Sequence, residues 1–177
     1  MMRRAHLKAD RQPGFSLIEL VVVIAIVATL AAGLLNRVQL YQEQAEKVAM
    51  EQTVGAIQSA LYLQGATLIA KGKVSEMPTL ARQNPMAWLA QKPKNYLGEF
   101  FAPKPQDVES GYWYFDLQSG NLIYSVRNDA HFRTEKSQRN QILYHVQLIT
   151  GAQDRDRASD NTIEGVTLDP VVPYKWF

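Results

Sequence analysis

The sequence predicts an α+β protein in which one long N-terminal helix packs against a small antiparallel β-sheet. Two observations predict the helix: an almost unbroken apolar run over residues 15–35, and apolar residues that recur at helical spacing in the stretch from there to residue 72. A third observation, the alternation of apolar and polar residues after residue 110, predicts the strands.

The apolar run matches a membrane span in length. As a helix it would be about 31 Å long at about 1.5 Å per residue, close to the roughly 30 Å of hydrocarbon in a bilayer. The leader before it, residues 1–14, is strongly basic, with Arg3, Arg4, Lys8 and Arg11 against Asp10. Because the whole chain carries a net charge of +2 and the leader +3, residues 15–177 carry −1. The basic leader predicts a cytoplasmic N-terminus and a head on the other side of the membrane.

One charged residue, Glu19, interrupts the apolar run. A carboxylate at membrane depth costs roughly 2.5–3.5 kcal/mol on insertion scales, so such a residue points to a function. A secretory signal would place a small-residue cleavage site after its apolar region. Here the small residue, Gly14, comes before that region. Cleavage there would remove only the charged leader and leave the span attached to the head.

The stretch RQPGFSLIELVVVIAIVATL resembles the N-terminus of type IV pilins and pseudopilins. That family has a basic leader ending in glycine, then phenylalanine, and a glutamate four residues further on, which Gly14, Phe15 and Glu19 match. The resemblance implies cleavage after Gly14 by a prepilin peptidase, N-methylation of Phe15, and a pilin-like fold. It also implies that Glu19 pairs with the amine of a neighbouring subunit in a filament. In the lone subunit, protonation of Glu19 and pairing with its own amine both remain open.

The resemblance further implies the partners and the location of the chain. The expected partners are other pilin or pseudopilin subunits, the prepilin peptidase, an inner-membrane assembly platform and the lipid bilayer. The expected location is the bacterial inner membrane, crossed once by residues 15–35 with the head in the periplasm, and then a pilus or pseudopilus filament. Neither a nucleic-acid partner nor a cofactor is expected.

Residues 36–72 are predicted to be the amphipathic half of the long helix, with Gly72 as its stop. Polar residues, Glu43 and Glu46 among them, fall between the apolar positions and are predicted to face solvent. The predicted apolar stripe that packs against the head comprises Leu34, Val38, Tyr41, Ala45, Val48, Met50, Val54, Ile57, Leu61 and Leu68.

Residues 73–177 are predicted to form the head. A proline-rich stretch over residues 73–110 contains one short helix, with Asn84 as its N-cap, Pro85 at its first position and Trp88 facing the core. After it, alternating segments predict a β-hairpin around Gly120 and two further strands over residues 141–149 and 162–168. The hairpin is predicted to bury Trp113, Phe115 and Leu117 on one face and to expose Tyr112, Tyr114 and Asp116 on the other.

The sequence of the head resembles a particular group of pilins. Residues 84–126, which include NPMAWLAQKPKNYLGEFF and GYWYFDLQSGNLIYSV, are similar to pilins of the mannose-sensitive haemagglutinin type and related minor pilins.

The sequence contains few residues of the kinds that form catalytic or metal-binding sites. The chain has no cysteine, which excludes disulfides, zinc–thiolate sites and cysteine nucleophiles. Outside the leader the histidines are His131 and His145, and no catalytic or phosphate-binding motif accompanies them. His145 is predicted to be a solvated residue on the polar face of its strand. An enzyme is therefore not expected.

Two charged clusters can be interpreted either as binding sites or as ordinary solvated surface. The acids Asp154, Asp156, Asp160 and Glu164, with Asn161, are candidate calcium ligands. Arginines interleave with them and the spacing matches no calcium loop, so a solvated charged loop is favoured. A second cluster, Arg127, Arg133, Lys136 and Arg139, is a candidate DNA contact, but interleaved acids favour a solvated face.

Three functions follow as hypotheses. The first is a structural subunit, a minor one, of a type IV pilus or pilus-like filament. The second is a pseudopilin of a type II protein secretion system. The third, a membrane-anchored periplasmic enzyme or sensor, requires a catalytic constellation that the sequence does not contain.

Overall fold

A computed structural model describes residues 14–134, 140–151 and 163–177. The chain divides into two compact units, one up to Leu40 and one from Tyr41 onward. Among the described residues, one helix is long and apolar enough to cross a membrane, with a mean hydropathy of 2.7 in a window of which no residue is buried. That helix, α1, spans Leu17–Ala70 and contributes to both units.

The end of α1 confirms the predicted stop at Gly72. Gly72 adopts a φ of 67°, the left-handed conformation that glycine enters without steric cost. The Gly72 N–H donates to the Ile69 carbonyl at 2.9 Å, and the Lys73 N–H donates to the Leu68 carbonyl at 2.8 Å. These two bonds form a Schellman motif, which satisfies carbonyls that the end of a helix leaves without partners.

The second unit contains a five-stranded sheet in the order β1-β2-β3-β5-β6 and a two-stranded sheet of β4 and β7. The strand bounds are β1 Tyr96–Phe100, β2 Trp113–Asp116, β3 Asn121–Ser125, β4 Phe132–Thr134, β5 Gln141–Thr150, β6 Ile163–Pro170 and β7 Tyr174–Trp176. Short helical segments cover Val74–Glu76, α2 (Met77–Leu80), Pro85–Trp88 and Pro105–Asp107. The predicted α+β architecture is confirmed, as are the hairpin β2–β3 and the two later strands.

The sheet is mostly antiparallel, but β1 departs from the prediction. Residues 96–100 were expected to be loop, and they instead form an edge strand that runs parallel to β2. The strand contains an irregularity between Tyr96 and Glu99, where Gly98 adopts a φ of 113°. A five-residue strand broken by such a bulge lacks the clean period-2 pattern by which strands are recognised.

The predicted faces of the hairpin were wrong for two residues. Tyr114 and Asp116, which were expected to meet solvent, are buried. The Phe100 ring lies edge-on to the Tyr114 ring at a centroid distance of 6.3 Å, and Gln141 Nε2 donates to the Tyr114 hydroxyl at 3.3 Å. Asp116 accepts hydrogen bonds from the Ala102 N–H at 3.0 Å and from the Ser119 hydroxyl at 2.6 Å. Burial raises the pKa of the Asp116 carboxyl, but these bonds and those from the turn amides outweigh it, and the pKa lies below its ordinary value. Leu117 lies beyond the end of β2 and is exposed.

The hydrophobic core lies between the sheet and the second half of α1. Met50, Ile57 and Leu61 of α1 are fully buried. They belong to one cluster with residues of β2, β3, β5 and β6, among them Trp113, Phe115, Leu122, Tyr124, Ile142, Tyr144, Val146, Val166 and Leu168. The segment Pro85–Trp88 forms a 3-10 helix, with the Asn84 side chain accepting from the Met86 N–H at 3.0 Å as predicted for an N-cap. Trp88 packs against the core cluster and is partly buried.

A side chain of α1 takes the place of a neighbouring strand at the outer edge of β6. The Gln58 amide oxygen accepts from the Leu168 N–H at 2.8 Å, and its amide nitrogen donates to the Val166 carbonyl at 3.4 Å. Backbone groups of an edge strand otherwise need water or another chain as partners. Gln58 therefore fixes the register of α1 against the sheet.

Candidate functional site

The N-terminal segment predicted to carry the processing site leads directly into α1. Gly14, Phe15 and Ser16 precede the first helical residue, and the Phe15 side chain is 76% exposed. The Ser16 hydroxyl accepts a hydrogen bond from the Glu19 N–H at 3.2 Å. Ser16 is thus the N-cap and Glu19 the third helical residue, the S-x-x-E spacing of a capping box.

The position of Glu19 in the first turn of α1 also affects its carboxylate. The first turn of a helix carries free N–H groups and a partial positive charge, which a carboxylate stabilises. Cleavage between Gly14 and Phe15 would add a positive amine at the same turn. The new amine and Glu19 would then lie within one turn of the helix, so pairing of Glu19 with its own amine stays open beside pairing with a neighbouring subunit.

A second group of polar contacts joins α1 to the head, and the sequence did not reveal it. Glu43 is only 2% exposed. Its carboxylate accepts from the His131 N–H at 2.8 Å, from His131 Nδ1 at 2.7 Å and from Trp176 Nε1 at 3.1 Å. Because an ionised carboxylate only accepts hydrogen bonds, the His131 proton lies on Nδ1. One side chain of α1 thereby holds both strands of the β4–β7 sheet.

Glu46, three residues later on the same face of α1, holds the segment between β3 and β4. It accepts from the Tyr124 hydroxyl at 2.9 Å, the Arg127 N–H at 2.7 Å and the Asn128 N–H at 2.9 Å. The Asn128 side-chain amide adds a fourth bond at 2.6 Å. Charge-assisted hydrogen bonds are about twice as strong as neutral ones. We call Glu43 and Glu46 the docking carboxylates.

The first half of the predicted apolar stripe of α1 was wrong. Glu43 was expected to face solvent, whereas Tyr41 and Val48, expected to pack against the head, are 62% and 50% exposed. The later half of the stripe, from Met50 onward, is confirmed. The assignment failed where the head presents N–H donors rather than apolar side chains, because hydrophobic periodicity detects only apolar burial.

Stability should fall in acid, and Glu43 should cause part of the fall. Burial raises the pKa of the Glu43 carboxyl, but the bonds from His131 and Trp176 outweigh it, and the pKa lies below its ordinary value of 4.5. A lowered folded-state pKa stabilises the fold above the unfolded-state value, and this contribution is lost as pH falls through the folded-state pKa. We expect the melting temperature to fall steeply below about pH 4.5. Glu43→Gln should make the fall in melting temperature shallower. Glu51→Gln, an exposed change on the same helix, should leave the fall unchanged. If the unchanged protein and both variants lose stability in acid alike, Glu43 does not contribute to the fall.

The other predicted site residues do not form a site in the described part of the chain. His145 is partly buried, and its Nδ1 lies 3.1 Å from the Asn121 side-chain oxygen. Of the calcium candidates, Glu164 is exposed in β6, while Asp154, Asp156, Asp160 and Asn161 lie outside the described residues. The preference for a solvated charged loop over calcium ligands therefore stays a prediction. In the basic cluster, Arg127 and Arg133 are exposed, and Lys136 and Arg139 also lie outside the described residues.

Comparison with known families supports the N-terminal site. Residues 10–35 match the family model described as prokaryotic N-terminal methylation motif, the prepilin signal of type IV pilins and pseudopilins. The match is confined to residues 10–35, so it supports a type IV pilin-like or pseudopilin processing signal at the N-terminus and does not extend to the head. No curated protein and no solved structure matches the chain. The similarity of residues 84–126 to mannose-sensitive haemagglutinin pilins thus stays a prediction.

Proposed function

We propose that the chain is a structural subunit, a minor pilin, of a type IV pilus or pilus-like filament. The observation that carries the proposal is the methylation motif over residues 10–35, situated at the start of an exposed apolar helix. That helix continues into a separately compact unit with its own core. Among the described residues nothing covers the apolar part of this helix. Such a helix, joined to a folded head, suits a subunit that buries it first in lipid and then among other subunits.

The proposal assigns each part of the chain a place. Residues 1–14 form the cytoplasmic leader that the peptidase removes, and residues 15–35 cross the inner membrane. The head lies in the periplasm until an assembly platform transfers the subunit from lipid to filament. Phe15 becomes the methylated N-terminus, and Glu19 pairs with the amine of a neighbouring subunit. A pseudopilin of a type II secretion system is the alternative, because the same motif marks both kinds of subunit.

The proposed role is non-catalytic. The carboxylate–histidine pair that the head does contain, Glu43 and His131, joins α1 to strand β4. Because the other carboxylate oxygen of Glu43 also accepts from Trp176, the pair is committed to holding the fold together.

Processing is the first test of this function. The mature protein extracted from membranes should begin at Phe15 and carry one N-methyl group, as determined from its intact mass. Gly14→Val should retain the leader, because the bulkier residue occupies the position before the cleaved bond. Gly33→Val is the matched control, since no atom lies within 4 Å of either glycine's missing side chain. A mature form of the unchanged protein that keeps Arg3 and Arg4, or that is cut after residue 35, would refute the function.

A second experiment separates the two kinds of filament. Deleting the gene should reduce surface pili if the chain is a pilin, and should reduce secretion of folded enzymes if it is a pseudopilin. Loss of secretion with normal pili would favour the alternative.

A further inference from the structure

The outer face of the β4–β7 sheet holds two cations side by side. Arg133 and Lys175 are directly opposed in the register of the two strands, and both are exposed. The neighbouring pair, Phe132 and Trp176, is buried, so the sheet has one apolar and one cationic face. Like charges directly opposite each other on a sheet are destabilising. We call the face that bears Arg133 and Lys175 the basic ribbon.

The basic ribbon has the shape and chemistry of a phosphate-binding surface. Within the described ranges, no carboxylate forms a salt bridge with either cation. Arg133 Nη1 donates to the Phe132 carbonyl at 2.7 Å and to the Ala130 carbonyl at 3.2 Å, which holds the guanidinium in place. Both cations line an open cavity of about 320 Å³, together with Thr134, Pro173 and Tyr174. Arginine and lysine together are well suited to bind a phosphate group.

The position of the basic ribbon in the fold indicates which phosphates it meets. Strand β7 is attached to the first turns of the head unit, where Lys47 donates to the Trp176 carbonyl at 2.9 Å. The head unit begins at Tyr41, only six residues after the apolar run ends at Leu35. These residues belong to α1, and six residues of helix rise only about 9 Å, so the start of the head unit stays close to the lipid headgroups.

We propose that the basic ribbon docks on anionic lipid headgroups of the membrane that residues 15–35 enter, so that the unassembled subunit rests with its head on the lipid surface. The inference uses the membrane anchoring of the proposed function and adds a resting state to it. Since residues 15–177 carry a net charge of −1, the attraction comes from this local pair of cations and not from the whole head. Docking ends when the head is lifted from the membrane into the filament.

Labelled full-length protein in lipid vesicles tests the docking. The chain has no cysteine, so Ala130→Cys places a single fluorescent label beside the basic ribbon, and Leu97→Cys places one on β1 at the edge of the other sheet. Vesicles contain a trace of headgroup-quencher lipid in either pure phosphatidylcholine or a mixture with phosphatidylglycerol. Quenching at position 130 should increase in the anionic vesicles and should be reversed by added salt. Quenching at position 97 should be the same in both.

Charge variants identify the cations responsible. The double variant Arg133→Gln/Lys175→Gln should lose the lipid-dependent quenching at position 130. Lys94→Gln/Lys104→Gln, which removes two exposed cations elsewhere on the head, should keep it. Equal quenching in both lipids, or loss in both double variants, would overturn the proposal. A change in quenching that depends on the density of subunits and not on phosphatidylglycerol would also overturn the proposal, because it would indicate contact between proteins.

Flotation of the vesicles measures anchoring separately. If the protein fails to float, the membrane anchoring of the proposed function is wrong, and the docking proposal falls with it. If the protein floats but its quenching does not depend on lipid charge, only the docking proposal is wrong.

Discussion

Replacing Glu19 by leucine is expected to abolish efficient entry into the filament while leaving the protein in the membrane. Removing a carboxylate from the apolar run makes insertion more favourable by roughly 2.5–3.5 kcal/mol on insertion scales. Membrane levels should therefore be normal, and cleavage after Gly14 should proceed if the peptidase accepts leucine. The defect should appear only in assembly, because the amine created at Phe15 loses its partner. Fractionation of sheared filaments from membranes, with total protein measured alongside, gives the result.

The capping geometry supplies a matched control. Because Ser16 accepts the hydrogen bond from the Glu19 N–H, Ser16→Ala removes the side-chain cap and leaves the carboxylate in place. N-cap substitutions of this kind cost about 1 kcal/mol of helix stability. If Glu19 serves assembly by its charge, Ser16→Ala should assemble normally and Glu19→Gln should fail like Glu19→Leu. Equal defects in the Ser16 and Glu19 variants would mean that capping is the role of both, and normal incorporation of the leucine variant would refute charge pairing.

Replacing Glu43 by glutamine is expected to weaken strongly the packing of the head on α1. Glutamine keeps the shape, but it brings an N–H₂ group into a site that contains only donors, the two nitrogens of His131 and the indole of Trp176. Losing charge-assisted bonds to a buried group and leaving donors unsatisfied costs about 3 kcal/mol. Denaturant unfolding of the full-length protein in detergent, followed by tryptophan fluorescence, measures the loss.

Glu51→Gln is the control for that measurement. Glu51 lies on the same helix, its side chain is 53% exposed, and its nearest cation is Lys47 at 3.9 Å. The change should alter the free energy of unfolding by less than about 0.5 kcal/mol, as is usual for exposed sites. Similar values for the Glu43 and Glu51 variants would show that burial of Glu43 does not hold the head on α1.

The features recovered from the sequence are those that apolar patterning and local turn chemistry encode. The long helix, its stop at Gly72, the hairpin around Gly120 and the Asn84 cap each depend on neighbours in sequence. The processing motif was equally accessible, because its residues lie within a few positions of each other. The assembly role of Glu19 is a relation between subunits and remains a proposal.

What sequence patterns missed depends on partners far along the chain. Glu43 and Glu46 looked like ordinary solvated acids because their donors come from residues 124–131 and from Trp176. A weak signal was present: two acids three residues apart lie on one helical face, opposite the exposed Tyr41 and Val48. Strand β1 was missed for a different reason, since its bulge at Gly98 breaks the alternation by which a strand is recognised.

The bond between Glu43 and Trp176 also bears on the order in which the fold closes. It joins residues 133 positions apart, so its closure needs the chain to be present as far as β7. Contacts so distant in sequence form late and slowly, because the intervening chain must first be confined. Until β7 is in place, the Glu43 carboxylate lacks its Trp176 donor. Under the proposed function, a head exported N-terminus first would therefore complete this contact last, and only a subunit with β7 in place would bring a finished head to the filament.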